Sequence, residues 1–126
     1  MPVTHITTNF KIKDKSRFID SVQSTLETVL KLLPHDRLII FNENCESFYQ
    51  PFNTTGPYAL IEIKLFNGRT LETKRLLYQS LTDLMMTFEI PKENVRIALI
   101  EIPKENWGIR GGQAGCDVTL GYETHI

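Results

Sequence analysis

Apolar and polar residues follow two different periods along this chain, and the two periods alternate in a regular order. Positions 3–9 are rich in β-branched residues, which favours a strand. From Ser16 to Leu33 apolar residues recur at helical spacing, which predicts a helix with Ser16 as its N-cap and Pro34 as its stop. The segment DRLIIF, directly afterwards, predicts a second strand.

The same order of elements returns in the second half of the chain. The segment ALIEIKLF alternates apolar and polar side chains, which predicts a strand. After the turn NGRT, Thr70 is a suitable N-cap for a helix that ends before Pro91, and VRIALIEI predicts the closing strand. The apolar stripe of this second helix consists of Leu77, Leu81, Leu84, Met85 and Phe88.

The chain is therefore one strand-helix-strand unit written twice. The repeats span residues 2–44 and 57–103, each opens with a proline, and a single domain over residues 1–126 is expected. Parallel strands joined by a helix, taken twice, predict an α+β fold with a four-stranded mixed sheet and two helices on one face. Residues 104–126 hold five of the seven glycines, which predicts a Gly-rich C-terminal hairpin or tight turns.

The other face of this predicted sheet has no covering layer. Apolar residues such as Leu38, Ile40 and Leu60 fall on it. Association of several copies would bury them, so the pattern predicts a homo-oligomer.

Composition narrows the function classes. The formal net charge of −1 and the lack of an aromatic and basic RNA-binding string argue against a nucleic-acid partner. No apolar run is long enough for a membrane span and the first residues do not resemble a secretory signal, so a cytoplasmic protein without a membrane partner is expected.

The residues that commonly bind metals are scattered. Cys45 and Cys116 form no CxxC pair, and His5, His35 and His125 lie far apart in sequence. This spacing predicts two unpaired thiols and no metal site. No cofactor is expected.

The second repeat resembles the tautomerase superfamily. The segments IEIKLFNGRTLETKRLLYQSLTDLM and IPKENVRIALIEIPKENWGIRGG have that family's order: a strand ending in a Gly-Arg turn, a helix, an arginine-bearing strand and an aromatic, Gly-rich segment. The doubled length and ENWGIRGGQ resemble the branch of 4-oxalocrotonate tautomerase relatives that includes malonate semialdehyde decarboxylase. The resemblance implies a tautomerase/MIF-like fold and a homotrimer.

The resemblance also implies a set of site residues. Pro2 matches the N-terminal proline that the superfamily uses as acid and base, and Asp36 is similar to the aspartate near that proline in the decarboxylase branch. Arg69 and Arg96 resemble the arginines that bind the substrate carboxylate, and Trp107 resembles the aromatic wall of the pocket.

This assignment is chemically coherent. Removal of Met1 would make Pro2 a secondary amine, and an unperturbed α-amino group has a pKa of about 7.7–8.0. Burial beside arginine disfavours a second positive charge and keeps the amine neutral, so that it can accept a proton. Arginine presents a fork of donors that matches a carboxylate, and a carboxylate such as Asp36 would instead favour the protonated amine.

These residues imply a keto–enol tautomerase, or alternatively a decarboxylase or hydratase, that acts on a small 2-oxo or 3-oxo carboxylic acid. Two features favour a non-catalytic oligomeric binding module instead: Asn67 stands where the decarboxylase branch has a second arginine, and the first repeat has FKIKDKS in place of a Gly-Arg turn. Lysines would supply the positive charge there. A ferredoxin-like, ligand- or RNA-binding domain has the same element order, but the net charge argues against RNA.

Overall fold

A computed structural model describes residues 2–126. It contains one central sheet, along whose strands buried and exposed side chains alternate. Its four strands are β1 (Val3–Thr8), β2 (Ile39–Asn42), β3 (Ala59–Phe66) and β4 (Val95–Ile102). The helices are α1 (Lys15–Leu30) and α2 (Leu71–Thr87). A two-stranded hairpin follows, with β5 (Gly108–Ile109) and β6 (Gln113–Ala114).

The sheet has the strand order β2-β1-β3-β4. The pairs β1–β2 and β3–β4 are parallel and the central pair β1–β3 is antiparallel, which confirms the mixed sheet of two strand-helix-strand units. The N-terminal ends of β1 and β2 therefore lie at the same end of the sheet as the C-terminal ends of β3 and β4. We call this the Pro2 end, and the opposite end the Pro57 end, after the prolines that precede β1 and β3.

Both helices begin at a side-chain cap. The carboxylate of Asp14 accepts the backbone N–H of Arg17 (3.2 Å), and the hydroxyl of Thr70 accepts that of Thr73 (3.2 Å). The Thr70 prediction is confirmed. The prediction of Ser16 as the first cap is wrong, because α1 begins at Lys15 and the side chain of Asp14 accepts the N–H of Arg17.

Helix α1 ends three residues before the predicted Leu33. Lys31 adopts a left-handed backbone (φ 55°) and donates its N–H to the carbonyl of Glu27. This closes the helix before Pro34 can act on it.

The predicted helix stripes form the core with one face of the sheet. Phe18 is fully buried and contacts the rings of Phe41 (5.1 Å between centroids) and Phe88 (5.0 Å). Leu84 is half-buried at the margin of this core. The fully buried residues of the core include Val22, Leu26, Leu30, Ile61, Ile63, Leu77, Leu81 and Met85.

The second face of the sheet, which we call the open face, has no covering layer in the described part of the chain. Leu38, Ile40 and Ile100 on this face are 50%, 42% and 36% exposed. In the middle row His5 lies opposite Glu62. Exposed apolar groups collected on one face are typical of an interaction surface.

The Gly-rich C-terminal hairpin is confirmed, with β5 and β6 antiparallel across a turn that includes Gly111 (φ 80°) and Gly112 (φ 94°). After the hairpin the chain returns to the turn before α2. The hydroxyls of Thr70 and Thr73 donate to the carbonyl of Ile126. Among residues 2–126, neither helix combines the length and the hydropathy needed to cross a bilayer.

Candidate active site

Pro2 is buried in a cavity of about 320 Å³ at the Pro2 end of the sheet. Leu38, Trp107, Ile109 and Arg110 contribute to its lining. These residues meet because the start of β1 lies beside the segment that leads into β2, while the hairpin follows the finish of β4. The structure thus brings Pro2 and Trp107 together. Met1 lies outside the described residues, so its removal stays a prediction.

The indole ring of Trp107 has a fixed orientation in this wall. Its Nε1–H donates to the carbonyl of Ile102 (3.1 Å), and its ring packs edge-on against Phe66 with centroids 5.2 Å apart. A tryptophan held by one hydrogen bond and one ring contact presents a rigid apolar surface.

Arg69 is buried at the same end of the sheet, with 6% of its surface exposed. One terminal nitrogen donates to the carbonyl of Phe66 (3.1 Å), and the guanidinium also forms a hydrogen bond with Tyr122. Its Nε–H has no hydrogen-bond partner among the described residues. An unpartnered buried donor is uncommon. The Nε atom is enclosed, and Arg69 does not line the cavity around Pro2.

Tight packing explains why Arg69 is enclosed. Gly68, directly before it, has a φ of 124°, and a Cβ atom at that position would lie 2.7 Å from the imidazole of His125. Glycine therefore allows the C-terminal residues to close over the turn. Burial lowers the pKa of Arg69 from its ordinary value, with the nearby Tyr122 opposing the change.

Asp36 belongs to the same region and is also buried, with 8% of its surface exposed. Gln23 donates to its backbone carbonyl (3.2 Å). Burial raises the pKa of the Tyr122 hydroxyl, and the charge of Asp36 raises it further, whereas Arg69 acts in the opposite direction. Asp36, Tyr122 and Arg69 therefore form one electrostatic cluster.

Tyr122 is the member of this cluster that the sequence did not indicate. It lies in the tail segment GYETHI, far in sequence from the Gly-Arg turn. Only the return of the chain after the hairpin brings it to Arg69. A tyrosine directly after a glycine, in a mostly polar tail, was the available signal.

Arg96 is not part of this cluster within one chain. It is exposed, lies opposite Leu60 near the start of β4, and faces the open face. Since β4 runs towards the Pro2 end, Arg96 is separated from Ile102 by about 20 Å of extended strand at ~3.3 Å per residue. The structure brings together Pro2 and Trp107, and Asp36 and Arg69, but leaves Arg96 at the Pro57 end.

No cluster of three or more His, Cys, Asp or Glu residues placed to hold a metal ion occurs within residues 2–126. Both cysteines are free thiols, with Cys45 half-buried and Cys116 exposed.

Comparison with known proteins shows which family this sequence matches. The sequence model of a family described as tautomerase enzyme matches residues 42–110. A probable tautomerase of Ralstonia nicotianae is 42% identical over 53 residues, which is 41% of this chain and 76% of the relative. A 2-hydroxymuconate tautomerase of Comamonas testosteroni is 37% identical over 59 residues, which is 46% of this chain and 90% of the relative.

Solved structures resemble the whole fold at low sequence identity. A fused 4-OT wild-type symmetric trimer superposes with a TM-score of 0.80 at 18% identity, over 90% of this chain and 96% of the other. A malonate semialdehyde decarboxylase inhibited by 3-bromopropiolate superposes with a TM-score of 0.68 at 22% identity, over 89% and 92%. These similarities extend the family's fold to the first repeat.

Proposed function

Because this chain belongs to the tautomerase enzyme family, we propose that it interconverts the enol and keto forms of a small oxo acid through the nitrogen of Pro2. The observation that carries this proposal is the burial of Pro2 in a cavity walled by Trp107. Arg69, with its unpartnered Nε–H, lies at the same end of the sheet.

The proposed reaction relays one proton. With Met1 removed, Pro2 carries a neutral secondary amine that accepts the hydroxyl proton of the enol. The electron pair of the O–H bond forms the carbonyl, and the C=C pair takes the proton from the Pro2 nitrogen to form a new C–H bond. Acid–base catalysis by a positioned group of this kind typically contributes about 10²–10⁴ to the rate.

We assign the substrate carboxylate to Arg69. Its guanidinium is always charged and is already held by Phe66 and Tyr122, so little side-chain freedom is lost when an anion binds. Trp107 would exclude water from one side of the reacting carbons, which strengthens the electrostatic interaction.

Loss of carbon dioxide from a 3-oxo acid is a second candidate reaction. The burial of Asp36 at the Pro2 end favours it, because a carboxylate there favours a protonated Pro2 that polarises the substrate carbonyl. The C–C bond to the carboxylate would break, its electron pair would move onto the carbonyl oxygen, and a proton would then restore the aldehyde or ketone. Asn67, in place of the second family arginine, argues against this reaction.

We also propose a homotrimer assembled through the open face. The exposed Leu38, Ile40 and Ile100 support it, as does the likeness to the fused 4-OT symmetric trimer. In such an assembly Arg96 would serve a site of a neighbouring copy, since it lies at the other end of its own sheet from Pro2.

The test combines intact-mass measurement with kinetics on an arylpyruvate-type substrate. We expect the mass of the purified native protein to lack Met1, and the Pro2→Ala variant to lose about a hundredfold or more in kcat/KM, in line with the contribution of a positioned acid–base group. Pro91→Ala is the matched control, because Pro91 is an exposed proline beyond the end of α2.

Equal rates for wild type and Pro2→Ala would contradict the acid–base role of Pro2. A native mass that retains Met1 would leave the Pro2 nitrogen as an amide, and it would favour the non-catalytic binding module.

A further inference from the structure

A second cavity of about 220 Å³ lies at the Pro57 end of the sheet, and its lining shares no residue with the cavity around Pro2. Its volume is below the ~300–1,000 Å³ that drug-sized ligands occupy, so it suits a small molecule. Three cationic side chains line it, together with the aromatic rings of Phe10 and Phe88 and the ring of Pro57. The cations are Lys11, Lys13 and Arg17.

The internal repeat relates this second cavity to the region of Arg69. Lys13 directly precedes the N-cap Asp14 of α1, as Arg69 directly precedes the N-cap Thr70 of α2. Because β1 and β3 are antiparallel, the segment after β1 lies beside Pro57, just as the segment after β3 lies at the end of the sheet that holds Pro2. The cavity at the Pro57 end is thus the counterpart of the proposed active site.

The charges around the second cavity are unbalanced. Lys11 and Lys13 form no ion pair within residues 2–126. By contrast, Arg17 is paired with Asp14 (3.5 Å), and the neighbouring Lys15 binds Glu43 (3.0 Å). The one carboxylate among the lining residues is that of Glu89. An anion that enters would therefore meet a positive rim.

The floor of the second cavity is aromatic and held in place. Phe88 is 7% exposed, its ring meets that of Phe18 edge-on (5.0 Å), and the guanidinium of Arg17 lies over it at 4.4 Å. Phe10 packs against the same core. A rigid apolar floor beside a cationic rim fits a ligand that has an apolar body and a negative group.

We propose that this second cavity binds a small organic carboxylate and does not convert it. The nitrogen of Pro57 is a backbone amide inside the chain and has no basic lone pair, so the acid–base step proposed for Pro2 has no counterpart here. The site holds its ligand by charge at Lys11 and Lys13 and by contact with Phe10 and Phe88.

The experiment is a titration of the ¹⁵N-labelled full chain with phenylacetate, followed through backbone amide shifts. Amides of Thr87, Phe88 and Glu89 should shift in a saturable way. In a Lys11→Gln/Lys13→Gln variant the affinity should fall about tenfold, since two exposed charge interactions are removed. Lys31→Gln, which removes an exposed lysine at the other end of α1, is the matched control and should bind as wild type does.

A substitution that removes a negative charge tests the same binding site while keeping the cationic side chains. Glu89→Gln removes the lining carboxylate and should tighten phenylacetate binding about threefold. Inorganic phosphate, used as a second probe, should bind more weakly than phenylacetate because it cannot use the aromatic floor. Comparable affinity for phosphate would overturn the ligand class.

Absence of saturable shifts at Thr87–Glu89, or equal affinity of the Lys11→Gln/Lys13→Gln variant and wild type, would overturn the binding site. The Pro2→Ala variant separates this inference from the proposed function. Its amides near Phe88 should respond to phenylacetate as those of wild type do, whatever its activity, because the two cavities share no lining residue.

Discussion

The guanidinium of Arg69 is enclosed by groups that lie far apart in sequence. The carbonyl of Phe66 is local, but Tyr122 and His125 come from the C-terminal tail. The Gly-Arg turn therefore allowed Arg69 to be predicted as a site residue from sequence. Its burial and its contact with Tyr122 could not be predicted, since both depend on where the tail returns.

Replacement of Tyr122 by Phe tests how strongly the tail supports Arg69. Loss of the hydroxyl leaves the buried guanidinium with one fewer partner, so we expect the free energy of unfolding to fall by about 1–3 kcal/mol. Urea denaturation would measure this. Tyr49→Phe is the control, because Tyr49 is 93% exposed. Equal stability of the two variants would show that the contact between Tyr122 and Arg69 contributes nothing to folding.

At the scale of elements, repetition made the fold predictable. The helical spacing of apolar residues, which places Phe18 and Leu81 on the core face, continues over several turns. Both helices and the neighbouring strands could therefore be predicted from the sequence. Their ends were harder to predict. Asp14 and Ser16 are both chemically able to cap α1, and the sequence alone does not say at which of them the helix begins.

Glu43 is the long-range contact that holds the start of α1. Its carboxylate accepts the backbone N–H of Ile12 (2.8 Å) and binds Lys15 (3.0 Å). Desolvation alone would raise the pKa of Glu43, but these two interactions outweigh it, so its pKa lies below the ordinary 4.5. The connection between β1 and α1 therefore depends on a charged residue at the end of β2.

We expect Glu43→Gln to lower the free energy of unfolding near neutral pH. A carboxyl group whose pKa is depressed by folding stabilises the protein above its unfolded-state pKa and loses that effect as the pH falls through its folded-state pKa. The difference between wild type and variant should thus shrink below about pH 4.5. Denaturation curves from pH 7 to pH 3 would measure it, with the exposed Glu46→Gln as control. A difference that is constant over this range would contradict the assigned charge interaction.

At the scale of the whole molecule, the open face is the sheet surface on which a single chain leaves apolar side chains exposed. Exposed Leu38, Ile40 and Ile100 surround a row in which His5 lies opposite Glu62. The sequence predicted the apolar part of this face through its strand alternation. It could not predict which ends of neighbouring sheets would meet, because that depends on the shape of the assembly.

Ile40→Glu tests the assembly directly. A charge in the middle of a buried apolar interface is costly, so sedimentation equilibrium should show a trimer for wild type and a smaller species for the variant. Leu76→Glu is the matched control, since Leu76 is 56% exposed on α2 and away from the open face. A variant that keeps the wild-type mass would contradict assembly through this face.

Under the acid–base role that we propose for Pro2, the internal repeat means that the position of the free proline amine decides which end of the sheet can react. Gly56 and Pro57 are accessible, and Ile126 contacts Thr70 at the end where β1 begins. A circular permutant that opens at Pro57 would link residue 126 to Pro2, and both lie at the same end of the sheet. It would turn the Pro2 nitrogen into an amide and give Pro57 the free amine, so we expect the acid–base role proposed for Pro2 to move to the Pro57 end.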